Sequence, residues 1–156
     1  MTLLELINAN LGIAHKVCHI YFREEADRED VLQEMMYQLW RSYDRFDGRS
    51  KFSTWMYSVC LNTALTYKRK SKSNLNEPLS KAHNVIEEES DKEKSVEMLS
   101  AAIATLSPVN KAIMLLYLEE MTYDEIAEIT GLTKSNVSVK IMRIKKELGD
   151  KLKDKI

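Results

Sequence analysis

Apolar residues recur every three or four positions along most of this chain, the period of helices with one buried face. Leu3, Leu6, Ile7, Leu11, Ala14, Val17, Cys18, Tyr21 and Phe22 predict a first helix over residues 3–22. A polar corner, Arg23 to Glu25, precedes a second helix over 26–43, with Val31, Leu32, Met35, Met36, Leu39 and Trp40 inward. Its other faces carry Asp27, Asp30, Gln33, Glu34, Tyr37 and Gln38. Residues 44–52, DRFDGRSKF, read as a loop, after which Ser53 caps a third helix. That helix turns Trp55, Met56, Val59, Cys60, Ala64 and Leu65 inward and runs into Tyr67, Lys68, Arg69 and Lys70. The period lapses over 73–94, which hold Pro78 and the acidic run Glu87 to Glu89; this composition predicts a flexible linker between two bundles. It resumes over 95–106, with Val96, Leu99, Ala102, Ile103 and Leu106 inward. Ser107 caps the next helix and Pro108 takes its first position, where a missing N–H costs nothing. Val109 to Glu119 then carry Ile113, Met114, Leu116, Tyr117 and Leu118 on the apolar side.

The most specific local pattern lies in residues 122–148. Thr122 and Glu125 form a capping box, so a helix starts at Tyr123. Ile126, Ala127 and Ile129 give it a buried face, and Gly131 supplies the left-handed residue that ends it. Thr133 or Ser135 caps a second helix, on which Val137, Ile141, Ile144 and Leu148 make one apolar stripe. The opposite face shows Ser135, Asn136, Val139, Met142, Arg143 and Lys146, flanked by Lys140 and Lys145. Short polar groups at the start of an exposed helix, with cations further along, suit the DNA major groove. The expected architecture is therefore all-α: two small helical domains, 1–72 and 95–156, joined by the linker 73–94, the second domain ending in a helix-turn-helix.

Composition narrows the chemistry. The chain has 156 residues, 44% hydrophobic and 30% charged, enough for a core within a water-facing surface. No apolar run reaches the roughly 20 residues of a membrane span, and no signal peptide is evident, so a cytoplasmic protein is expected. Cys18 and Cys60 are then reduced core residues. His15, Cys18 and His19 share one helical turn but lack a fourth ligand, so packing explains them better than a metal does. The net charge of −1 conceals two basic segments. Residues 41–72 hold eight Lys or Arg against two Asp, and residues 134–156 hold eight against three acids. Two such segments imply two contacts with phosphate. Around the first of them Phe46, Phe52, Tyr57 and Tyr67 interleave with cations, which suits single-stranded nucleic acid. No P-loop, HExxH or GxSxG pattern occurs, so neither an enzyme nor a bound cofactor is expected.

These segments, taken in order, resemble a known family. EDVLQEMMYQLW (29–40), FDGRSKFSTWMYSVCLNTAL (46–65) and the segment from Leu106 to Leu148 are similar to regions 2.2, 2.3–2.4 and 4 of the extracytoplasmic-function sigma factors, the smallest members of the sigma-70 family. The resemblance implies a subunit that binds core RNA polymerase and directs it to promoters. It implies docking on a coiled coil of the largest polymerase subunit through Asp30, Gln33, Glu34 and Trp40. It assigns capture of a flipped base of the −10 element to the loop Phe46, Gly48, Arg49, Ser50, Lys51 and Phe52. Asn62, Tyr67, Lys68 and Arg69 would approach the opened strand. The second helix of the helix-turn-helix would read the −35 duplex. Ser138 stands where the family commonly has a cation, so that contact falls to Lys134, Ser135, Asn136, Lys140 and Arg143. An anti-sigma factor is an implied partner, and no sensory domain is expected before residue 1 or after Ile156. A stand-alone helix-turn-helix regulator, dimeric on duplex DNA, is the competing reading; it has no use for the aromatic and basic loop.

Overall fold

The computed structural model describes residues 1–74 and 91–153, and among them every regular element is helical. In order these are α1 (Leu3–Ala9), α2 (Leu11–Tyr21), α3 (Glu25–Ser42), a single 3-10 turn (Tyr43–Arg45), α4 (Phe52–Asn74), α5 (Asp91–Ala104), α6 (Pro108–Leu118), α7 (Tyr123–Thr130) and α8 (Lys134–Lys153).

The first predicted helix is two. Asn10 leaves helical geometry at φ −121 and ψ 18, and its side-chain amide donates to the Leu6 carbonyl at 2.9 Å. Asparagine offers the backbone this substitute for a helical bond, which the apolar period running through it does not reveal. A capping box of Thr2 and Glu5 opens α1. The third predicted helix begins two residues early: Trp55 N–H donates to the Lys51 carbonyl, so Ser53 lies inside α4 and is not its cap. Helix also extends into both ends of the predicted linker, to Asn74 and from Asp91, and the rest of that linker lies outside the described residues.

In the first half, Val31, Met35 and Leu39 of α3 meet Val17 of α2 and Met56, Cys60 and Ala64 of α4, all buried. Burying a side chain of this size contributes roughly 1.5–3 kcal/mol. In the second half, Ile113 and Leu116 of α6, Ile126 of α7 and Val137, Ile141 and Ile144 of α8 do the same. Three positions expected inside are not: Val96, Leu99 and Leu118 are exposed, and burial along α5 is concentrated in its last turn, at Ala102 and Ile103.

The two halves pack on one another. Their buried residues form one continuous cluster, and polar bonds tie its edge. The buried Tyr21 hydroxyl donates to the Pro108 carbonyl at 2.5 Å, and the Lys111 ammonium lies 5.8 Å from the Tyr21 ring centre. Lys16 on α2 pairs with Glu119 at 2.8 Å. Thr54 on α4, itself buried, donates to the Glu125 carboxylate at 3.2 Å.

Candidate polymerase and promoter surfaces

Helix α3 presents two different flanks. Asp30, Glu34 and Gln38 line a groove of about 710 Å³ against Asn62, Thr66 and Tyr67 of α4. Trp40 lies on the other flank, in an apolar groove of about 850 Å³ with Leu4, Ile7, Leu11 and Met36. The residues expected to dock are therefore split: Asp30 and Glu34 share a groove with Asn62 and Tyr67, Trp40 faces α1, and Gln33 is exposed outside both grooves. The apolar period puts Trp40 inward, yet the side chain is 74% exposed. Tyr37 and Leu4 are exposed beside it and were not among the expected contacts. Tyr37 sits seven residues after Asp30, two helical turns along the same outer face, and that spacing was the available signal.

The loop before α4 is built on an aromatic cluster. Phe46 packs 5.2 Å from Trp55 and 5.9 Å from Phe52, and Tyr43 stacks on Phe46 at 6.2 Å, between ring centres. These rings are half-buried. Gly48 turns the chain at φ 78, a left-handed conformation that any side chain would strain. Asp47 accepts from the Arg49 backbone N–H at 3.0 Å and pairs with the Arg49 guanidinium at 3.1 Å, which orients the turn. Ser50 is half-buried and Lys51 exposed, the latter close enough to Glu125 to help lower its pKa. Tyr57, one of the aromatics interleaved with cations, is interior at 2% exposure. Its hydroxyl is buried without a well-formed hydrogen bond, and burial together with the nearby Glu119 carboxylate pushes its pKa up. Tyr67 packs edge-on against Phe22 at 5.4 Å, and the Lys68 ammonium lies 5.1 Å over the same ring. Asn62 and Arg69 are exposed.

The helix-turn-helix forms as its sequence predicts. Glu125 N–H donates to Thr122 Oγ1 and Thr122 N–H donates to the Glu125 carboxylate, both at 3.1 Å. Those bonds to Thr122 hold the Glu125 pKa below its usual value. Gly131 ends α7 at φ 77. The Asn136 N–H donates to Thr133 Oγ1 at 3.1 Å, so Thr133 is the cap of α8 and Ser135 stays available on its surface. Val137, Ile141, Ile144 and Leu148 are buried, which turns Ser135, Asn136, Arg143 and Lys146 to solvent, with Lys140 half-buried at the margin. Lys134 is held by Asp124 at 3.4 Å, an exposed pair worth little. Lys140, Arg143 and Lys146 have no carboxylate within salt-bridge distance among the described residues, so their charge is available to a partner. Among the described residues no group of His, Cys, Asp and Glu is arranged to hold a metal, and no helix is long and apolar enough to cross a membrane.

Comparison with known proteins agrees with this geometry in order and extent. Residues 6–74 match Sigma-70 region 2, and residues 96–148 match Sigma-70, region 4. The chain is 24% identical over 155 residues to the ECF RNA polymerase sigma factor SigW of Bacillus subtilis (strain 168), covering 90% of this chain and 83% of that protein. It is 29% identical over 157 residues to the ECF RNA polymerase sigma-E factor of Escherichia coli (strain K12), with 88% and 81% covered. Among solved structures it resembles the sigma factor RpoE in complex with the anti-sigma factor NepR from Bartonella quintana, at TM-score 0.72 and 18% identity, with 94% of each chain covered. CnrH in complex with the cytosolic domain of CnrY is similar at TM-score 0.71 and 18% identity, over 97% of this chain and 88% of that one. At that identity the structural likeness speaks for the fold. A stand-alone regulator is not favoured, because the region 2 match takes in the whole first half, which that reading leaves to dimerisation.

Proposed function

We propose a division of labour for this chain, which belongs to the extracytoplasmic-function group of the sigma-70 family and is an RNA polymerase sigma factor. Residues 1–72 dock on core polymerase and handle the −10 element, and residues 95–156 read the −35 element. The outer face of α3, with Asp30, Gln33, Glu34 and Trp40, meets the polymerase: carboxylates and an amide for polar contacts, and an exposed indole as the apolar anchor. The turn over Phe46, Gly48, Arg49, Ser50, Lys51 and Phe52 receives a base of the −10 element once the strands part. Unstacking a base costs a few kcal/mol, and half-buried rings offer it another face on which to stack. Asn62, Tyr67, Lys68 and Arg69 guide the opened strand. Lys134, Ser135, Asn136, Lys140 and Arg143 contact the −35 duplex.

The chain acts as a cytoplasmic initiation factor and has no catalytic step of its own; strand opening belongs to the complex with polymerase. An anti-sigma factor, the kind of partner bound to RpoE in its solved structure, is a further candidate ligand. The observation that carries this reading is the solvent face of α8. Lys140, Arg143 and Lys146 on it have no carboxylate within salt-bridge distance among the described residues, while the opposite face is buried in the second bundle.

The test is co-elution of the purified chain with bacterial core RNA polymerase, followed by permanganate footprinting on genomic promoter fragments. Co-elution with reactive thymines near −10 is the expected result. Failure to bind core polymerase would overturn the docking surface, and binding without opening would overturn the −10 assignment alone.

A further inference from the structure

Two apolar side chains stand in the middle of the polar face of α8. Val139 is 36% exposed and Met142 is 65% exposed, and neither packs against the core. Val139 is three residues after Asn136 and four before Arg143, so the three side chains follow one another along a single exposed strip. Met142 lies three residues beyond Val139 on the side of the strip toward Ser135. Water-exposed apolar groups gain nothing in the free molecule. Their place between an amide and a guanidinium gives them a specific neighbour once the helix enters a groove.

In the major groove the four base pairs differ in donors and acceptors, and thymine alone adds an apolar group, its C5 methyl. An amide such as that of Asn136 pairs with adenine N6 and N7, and a guanidinium such as that of Arg143 pairs with guanine O6 and N7. Neither can distinguish thymine by its methyl. We infer that Val139, with Met142 beside it, reads thymine methyl groups of the −35 duplex, so that this chain selects an A·T pair in one orientation through an apolar contact. The inference rests on the assignment of α8 to the −35 duplex. Charge complementarity commits the face to DNA: Lys140, Arg143 and Lys146 surround the apolar pair, and no acid stands between Lys134 and Lys146.

The experiment uses holoenzyme reconstituted from the full chain and core RNA polymerase. A duplex is first selected from a library randomised around −35. Each thymine of the selected duplex is then replaced singly by deoxyuridine, which removes the methyl and nothing else. The wild type should bind roughly three- to fivefold more weakly at one or two such positions, the scale of one buried methyl group. Val139→Ser removes both methyl groups at an exposed site and leaves a hydroxyl. It should lose discrimination between thymine and deoxyuridine at one of those positions, and Met142→Gln should lose it at the other if there are two. Equal wild-type affinity for thymine and deoxyuridine at every position would overturn the inference while leaving the −35 assignment standing. Enrichment of no −35 sequence would overturn that assignment, and the inference with it. Loss of core polymerase binding by Val139→Ser, with no thymine effect, would also overturn it and give the apolar pair to a protein surface.

Discussion

Glu120 is the one described residue other than glycine with a positive φ, at 62. It stands just past the C-terminal cap of α6. Its N–H donates to the Tyr117 carbonyl, and the Met121 N–H donates back to Leu116, the double bond that closes a helix with a left-handed residue. Glycine is the usual occupant. A side chain there costs roughly 1–2 kcal/mol, against about 0.5–1 kcal/mol of extra entropy that glycine loses on folding. Glu120→Gly should therefore raise stability by about 0.5–1 kcal/mol in a urea titration, with an unchanged slope. The opposite kind of site is Trp40, which is exposed and so carries little of the fold. Trp40→Ala should leave stability within about 0.5 kcal/mol. It should weaken core polymerase binding by about 2 kcal/mol or more if the indole is the anchor of the docking face, a difference that a titration of labelled core enzyme would read. The apolar period placed Trp40 inside. A period of 3.6 fixes the centre of a buried arc but not its edge, and position 40 falls at the edge. Tyr57 is the converse case, an aromatic beside cations that proved interior because the second bundle covers it, a contact between distant parts of the chain.

At the scale of elements, local chemistry was the legible part. The box of Thr122 and Glu125, Pro108 at the first position of α6, and Gly131 at the end of α7 each involve residues within one turn, and all three stand where the pattern put them. The break at Asn10 was not legible, because the apolar stripe continues across it. The start of α4 lies two residues before the expected one, because Lys51 caps through its backbone carbonyl and not through a side chain. Of the candidate surfaces, the reading face of α8 followed from its period, whereas the division of α3 between two grooves depends on where α1 and α4 lie. Glu125 links this scale to the next, since one carboxylate caps α7 and accepts from Thr54 of α4. Its pKa is held low in the folded chain, chiefly by the Thr122 backbone bond, so its contribution is present above the unfolded value of 4.5 and fades as pH falls through the lower folded value. Wild-type protein should lose more stability between neutral pH and about pH 3 than Glu125→Gln, whose amide stays neutral throughout. Parallel pH-dependent losses in the two proteins would remove Glu125 from the account.

Among the described residues, the polar contacts that join the halves include Lys16 with Glu119, Tyr21 with Pro108, Lys111 with the Tyr21 ring and Thr54 with Glu125. Glu119→Arg would set two cations against each other beside Tyr57, and should increase the radius of gyration in small-angle scattering without loss of helical circular dichroism. An unchanged radius would show that apolar contact alone keeps the halves together. The length of the promoter gives these ties their meaning. The −10 and −35 elements lie about 25 base pairs apart, roughly 85 Å along a duplex that rises 3.4 Å per pair. A packed chain of this size has a radius of gyration of roughly 15 Å. On the proposed assignment, the turn at Gly48 and the outer face of α8 cannot both occupy a promoter while Thr54 still holds Glu125. Whatever free energy the closed arrangement gains in solution is subtracted from the affinity of the molecule for its working complex. Substitutions that strengthen that seam should therefore weaken the affinity for a promoter in the polymerase complex, and those that loosen it should strengthen it.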